Sequence, residues 1–237
     1  MGDPPVTSEA PVGELDFADR RLVADYWFSR AEGELTSAYG FEHVLEDLRR
    51  DGAPAPILSL AERSVADEYR HSGWCREWAE RFGRAPAEPR PRSTAPVRFL
   101  RATEAEERLL RITFCCFTET VGSFVLRKVR PFVTSPELRK LNQRHTADEL
   151  AHAKVGWGYL STTTEGAKAL IAERLDELLA TLRRVSCEGT EVEREDLIGW
   201  GYFTPSLLAA AHDEAVREVI LPGLEHLGIT SAGTKTL

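Results

Sequence analysis

Arg144-His145-Thr146-Ala147-Asp148-Glu149-Leu150-Ala151-His152 is the stretch on which the fold turns, because its Asp-Glu-x-x-His core occurs a second time as Asp67-Glu68-Tyr69-Arg70-His71. Both copies sit inside long amphipathic patterns of helical period. On a helix, residues three apart share one face, so each copy points a carboxylate and an imidazole the same way. Two helices of this kind, each facing another that supplies one more glutamate, would enclose a pair of metal ions between them.

Spacing selects Glu119 and Glu34 as the two missing glutamates. Pro131 and Ser135-Pro136 bracket a turn near residue 134, with Glu119 15 residues before it and Glu149 15 after it. Antiparallel helices hold such residues level. In the other hairpin the turn is Gly52-Ala53-Pro54, and Glu34 lies 18 residues before Gly52 while Glu68 lies 16 after it. That offset is roughly 3 Å at 1.5 Å per residue. Glu34 also falls on the apolar stripe that includes Val23, Trp27, Arg30, Phe41, Leu45 and Leu48, whereas Glu32 does not and Glu42 and Glu46 lie too near the turn.

A single Glu-x-x-His on a helix is ordinarily a solvated face or a salt bridge. Two copies with level partners carry more weight. Hard oxygen donors with two imidazoles suit two Fe ions, or a Mn/Fe pair, and four glutamates cancel the charge of two divalent ions. Asp67 and Asp148 are each placed to reach across to the histidine of the opposite helix, Asp67 to His152 and Asp148 to His71, and to hold its second nitrogen.

In chain order, residues 1–16 read as a loose proline-containing tail. A helix follows over about 19–50, with a bend expected at Gly33 or Gly40, and a second runs from Pro56 to about Phe82. Prolines 86, 89, 91 and 96 then forbid helix. About nineteen extended residues reach roughly 60 Å, enough to return along a helix pair. Thr103-Glu104-Ala105-Glu106 is a capping-box pattern that opens a third helix, and Ser135-Pro136 opens a fourth that ends near Tyr159. Extra helices are expected at 165–186 and 204–227, outside the core of 19–160 and within one domain spanning 17–228, with a frayed tail over 229–237.

Composition limits the function. The chain has 237 residues, 42% hydrophobic, and a formal charge of −8, which disfavours a nucleic-acid surface. Cys75, Cys115, Cys116 and Cys187 form no Cys-x-x-Cys pair, which fits a reducing, cytoplasmic setting. No leader and no apolar run of membrane length stands out, so no membrane partner is expected. His43, His212 and His226 match no ligand spacing and read as surface residues.

With these motifs, the chain from about Asp19 to Tyr159 resembles the ferritin-like diiron carboxylate superfamily, most of all its stand-alone bacterial members. The resemblance implies an all-α, ferritin-like four-helix bundle with a long crossover between helices 2 and 3 and two extra C-terminal helices. It implies two iron ions held by Glu34, Glu68, His71, Glu119, Glu149 and His152, O2 as co-substrate, a small-molecule substrate, an external electron donor and a homodimer. The order His145-x-x-x-Glu149-x-x-His152 is similar to the fourth helix of arylamine N-oxygenases, in which the additional histidine binds iron. His145 is thus either a seventh metal ligand or a histidine hydrogen-bonded to a carboxylate, and the expected chemistry is oxygenase or oxidase, with amine N-oxygenation its sharpest form. A ferroxidase or iron-handling protein is the alternative. Gly122, Ser123, Cys115 and Cys116, each within a turn of Glu119, are expected to line the substrate pocket.

Overall fold

The computed structural model describes residues 15–187 and 192–230, and every regular element among them is helical. The tails at 1–14 and 231–237 lie outside the described residues. Helix α1 spans Phe17–Arg50, capped by Asp16, whose carboxylate accepts from the Asp19 N–H at 2.8 Å. At about 1.5 Å per residue its 34 residues reach roughly 50 Å. No break occurs at Gly33 or Gly40. Gly33 faces the Arg92 side chain at ordinary contact distance, and nothing crowds Gly40.

Gly52, at a left-handed φ of 68°, reverses the chain, and α2 runs over Ala55–Arg81. Ser72 fastens the hairpin by donating to the Ala31 carbonyl at 2.8 Å in a buried contact. Helix α3 (Glu104–Val129) starts at the capping box that Thr103 and Glu106 form, and α4 (Pro136–Leu160) starts at Ser135. Their backbones come close at Gly156, where a Cβ would fall 2.1 Å from Cys116 Cβ. Helices α1 and α2 pack together, as do α3 and α4, and α2 meets α4 while α1 meets α3. The buried fork from Arg111 to Asp47, at 2.8 and 3.1 Å, ties the end of α1 to the start of α3. Such bidentate pairs are strong and fix register.

The segment between α2 and α3 lies along α1. Arg84 pairs with Asp25, Arg92 donates to the Ser29 carbonyl at 2.7 Å and takes the Thr36 hydroxyl at its own N–H, and His43 meets the Thr94 carbonyl at 2.9 Å. Arg50 then reaches Glu104 at the start of α3.

Helix α3 is buried on nearly every side. Beyond the stripe that carries Glu119, it buries Phe114, Phe117, Val121 and Phe124, because α5 (Glu165–Glu173), α6 (Leu175–Ser186) and α7 (Pro205–Ala215) pack on its other face. An interior helix has no polar face to show, so α3 alone among the described helices is long and apolar enough to cross a membrane, contrary to expectation. Of that apolar window, 78% is buried inside the protein.

The C-terminal part breaks the first of the two expected extra helices, adds a turn before the second, and kinks the second at its proline. The segment 165–186 breaks at Arg174, whose guanidinium reaches the Leu100 carbonyl at 2.8 Å. The break lets Ile171 and the Leu175, Leu178 and Leu182 stripe all turn inward. Before α7, the 3-10 turn Glu195–Trp200 buries Leu197, Ile198 and Trp200. Helix α7 passes through a π-type turn at Val216–Ile220 into α8 (Leu221–His226). Pro222 accounts for that turn, since its ring crowds the carbonyl four residues back.

Candidate metal centre

Four helices bring the expected donors to one place. They fall into two groups that share a residue: Glu34, His71, His145 and Glu149 in one, Glu68, Glu119, Glu149 and His152 in the other, with donor atoms in each group within 4.8 Å of one another. Glu149 belongs to both. The second group is wholly buried, while Glu34 leaves the first partly open, its side chain 16% exposed.

The two aspartates lie on the far sides of the rings. His71 Nε2 is 3.2 Å from Asp148 Oδ2, and His152 Nε2 is 3.5 Å from Asp67 Oδ2. Both aspartates also receive Arg70, which meets Asp67 Oδ1 at 2.6 Å and Asp148 Oδ2 at 3.0 Å. Arg70 lies inside the repeat itself, where the second copy has Ala151. Each imidazole is thereby held by one nitrogen with the other turned to the glutamates.

The inward nitrogens decide whether a cation fits. His152 Nδ1 stands 2.9 Å from Glu68 Oε1 and 3.4 Å from Glu119 Oε2, and His71 Nδ1 stands 3.6 Å from both Glu68 and Glu149. None of these contacts has hydrogen-bond direction. His71 Nδ1, His152 Nδ1 and Glu68 Oε2 are buried with no hydrogen-bond partner. Orphaned buried polar atoms are costly, and donors on one first-row divalent ion, at bonds of about 2.1 Å, stand about 3 Å apart. The residues present fit two such ions.

Electrostatics without metal show the same crowding. Burial and then the charge of Glu68 push the Glu34 carboxyl up to about 7. Burial and then Glu119 push Glu149 well above the carboxylate range. Burial opposes a proton on His71 and His152, but the carboxylates facing them win: Asp148 and Glu68 carry His71 up to about 9, and Glu119 and Glu68 carry His152 up to about 10. His145 goes the other way, held well below 6.5 by burial and by neighbouring His71, whose ring centroid is 3.9 Å away. Its Nε2 lies 2.9 Å from Glu149 Oε1 and 3.7 Å from Glu34 Oε1.

The expected pocket residues have other work. A Cβ on Gly122 would stand 3.1 Å from Glu149 Oε2, so the space left by this glycine is taken by the glutamate. Ser123 is buried and donates to the Thr120 carbonyl at 2.7 Å. Cys116 is the wedge against Gly156, and Cys115 packs on the smaller apolar cluster around Ile112 and Val155. None of the four lines the narrow crevice that reaches the donors at His145. Trp27, Arg30, Leu138, Asn142, Gly201 and Phe203 contribute to it instead. Cys75, on the stripe of α2, lies with its Sγ 3.8 Å from Glu34 Oε1. Of the three histidines read as surface residues, His212 is buried, with Nδ1 between Arg183 and Asp213, because α6 covers α7 there.

No family model, curated protein or solved structure matches this chain.

Proposed function

We propose that the four long helices are a ferritin-like bundle and that the protein is a non-heme diiron oxygenase or oxidase acting on a small organic substrate. One observation carries the reading: two donor groups joined through Glu149, with three buried donor atoms left unsatisfied by the protein. Glu34, His71, His145 and Glu149 would hold one ion, and Glu68, Glu119, Glu149 and His152 the other. The chemistry that two ferrous ions supply when bound is reduction of O2 with transfer of oxygen to a bound molecule, an outside donor returning the electrons.

The chain's own contribution is positioning. Asp148 and Asp67 accept from the Nε2–H of His71 and His152 and so keep each Nδ1 lone pair facing inward. Arg70 holds the two aspartates in register. Phe41, packed edge-on against His152 at 5.3 Å, excludes water from the closed group. Side-chain access comes from the Glu34 and His145 side, where the crevice meets the donors. Amine N-oxygenation is the version that His145 favours, since it adds a second imidazole to this half and a third to the site.

The test is anaerobic Fe(II) titration followed by exposure to O2 in a stopped-flow spectrometer, with wild type and His145→Ala. Two Fe(II) per chain are expected, with a visible absorption band that decays faster as an arylamine is added and that the variant fails to develop. Conversion straight to ferric product, indifferent to amines and to the substitution, would support ferroxidase chemistry instead. Fewer than two bound ions would sink both readings.

A further inference from the structure

The crevice beside His145 contains a cation that the metal centre does not use. Arg30 is largely buried, its guanidinium 4.4 Å from the ring centres of both Trp27 and Phe203. Among the described residues its ion pair is with Glu34 at 3.5 Å. With two divalent ions in place, the four glutamates are balanced by them. Asp67 and Asp148 are met by Arg70, with Arg63 3.7 Å from Asp67. Arg30 is then a positive charge at the mouth of the site without a counterion of its own, an arrangement that costs free energy unless an anion answers it.

Two further features describe what would answer it. Asn142 on the crevice wall is buried, its Nδ2 donating to the Leu126 carbonyl at 3.1 Å and its Oδ1 buried without a partner, an acceptor that suits a donor on the ligand's body and not its anionic end. The rest of the wall is apolar and runs along α4 from His145 past Leu141 to Leu138, about 10 Å at 1.5 Å per residue. Enclosed space now amounts to about 10 Å³, one water's worth. A ligand therefore enters by displacing a side chain of the wall, among which Phe203, carried by the segment after the 3-10 turn, stands nearest the Arg30 guanidinium together with Trp27.

We propose that this crevice is the substrate's berth, and that it selects a compact organic monoanion: a carboxylate set on Arg30, with an apolar body along Leu138 and Leu141. This rests on the reading that the Glu and His groups hold two divalent ions, and it adds the charge and shape of the molecule they act on. Arg30 is a binding residue in this scheme, with its planar fork matched to a carboxylate.

The experiment uses protein loaded with Mn(II), counted by elemental analysis, and titrated calorimetrically with hexanoate, hexanol and hexylamine. Hexanoate is expected to bind about tenfold or more tightly than the other two, the difference of one charge-assisted contact. Arg30→Gln is expected to remove that preference with two Mn(II) per chain retained. Leu141→Trp, which fills the apolar wall and leaves the charges alone, is expected to weaken hexanoate as well. Hexanol or hexylamine binding as tightly as hexanoate overturns the proposal without need of a variant. So does a hexanoate preference that survives both substitutions, which would place the anion on the metals and outside the crevice. Protein that holds fewer than two Mn(II) overturns the metal reading and the charge argument with it, and the metal count separates that failure from the other two.

Discussion

The hairpins α1–α2 and α3–α4 carry the same repeat and finish it differently. Four residues before the glutamate of Asp-Glu-x-x-His, α4 has His145 and α2 has Ser64, whose hydroxyl bonds back to the Leu60 carbonyl. Seven residues after it, α4 has Gly156, jammed against Cys116, and α2 has Cys75, whose thiol faces Glu34. Four residues before the lone glutamate, α1 has the buried cation Arg30 and α3 has Cys115. Two of the exchanges, Gly156 against Cys75 and Cys115 against Arg30, leave the α3–α4 half the more tightly packed, while the third sets His145 of α4 on the crevice wall that it shares with Arg30. The lesson is that a symmetric repeat can be made one-sided by the residues one or two turns away, so that one donor group is buried and the other is partly open.

The sharpest way to break this comparison is to remove the shared donor and then an unshared one. Glu149→Gln should weaken both metal positions, each by more than the about 100-fold that an outer partner commands. Glu34→Gln should weaken the open position and spare the closed one. In the metal-free protein Glu149→Gln should raise the melting temperature by about 2–4 °C, since it removes a crowded carboxylate from the interior at the expense of function. Metal titration and thermal melts read both effects. Equal, single-position losses from the two variants would show that the groups do not share Glu149.

Acidity offers a second comparison, within the open group. In the metal-free protein His71 is pushed up to about 9 and His145, 3.9 Å away, is held well below 6.5. Between pH 7 and 9 the unfolded chain has already lost its histidine protons near 6.5, while folded His71 and His152 keep theirs. The folded state binds more protons, so stability must fall as pH rises, by up to about 2.8 kcal/mol per pH unit for two protons. His145 is neutral in both states across this window and contributes nothing to the slope. Bound Mn(II) would replace those protons and flatten the curve. Urea melts of chelated and Mn(II)-loaded protein at pH 7, 8 and 9 measure the difference. A chelated protein as stable at pH 9 as at pH 7 would mean that the two imidazoles do not hold protons where the metals belong.

Much of this was legible in the sequence because it is periodic. Caps, prolines and the three-residue spacing of Glu and His placed four helices and put Glu34, Glu68, Glu119 and Glu149 at one level before any coordinates. The partnering of Asp148 with His71 and of Asp67 with His152 follows from the same geometry. Periodicity says which face a residue shares, and it is silent on what arrives at that face. The space beside Gly122 could not be known to be occupied by Glu149, so a pocket was expected where a ligand carboxylate lies. Phe114 and Phe117 point off the Glu119 stripe and are buried there, because α5, α6 and α7 cover the second face of α3. Arg70 stood in plain view inside the repeat, and only the cross-helix distance shows that it serves both aspartates.

The smallest effects come from the aspartates, and they test whether the halves are separable. Asp148→Asn loses the acceptor on His71 and so disturbs the open group, and Asp67→Asn loses the acceptor on His152 and disturbs the closed one. Each should cost about 10- to 100-fold in affinity at its own position. The costs should not be equal. Asp148 holds His71 at 3.2 Å, while Asp67 sits 3.5 Å from His152, and His152 is also braced by Phe41. Asp67→Asn should therefore be the milder change. Arg70 complicates the picture usefully, because it contacts both aspartates, and Arg70→Met should weaken both positions together by less than either aspartate weakens its own. Stepwise Mn(II) titrations of the three variants give the comparison. If each aspartate variant weakened both positions equally, the four helices would be holding their metals as one unit, and the division into an open and a closed half would describe the side chains without describing the binding.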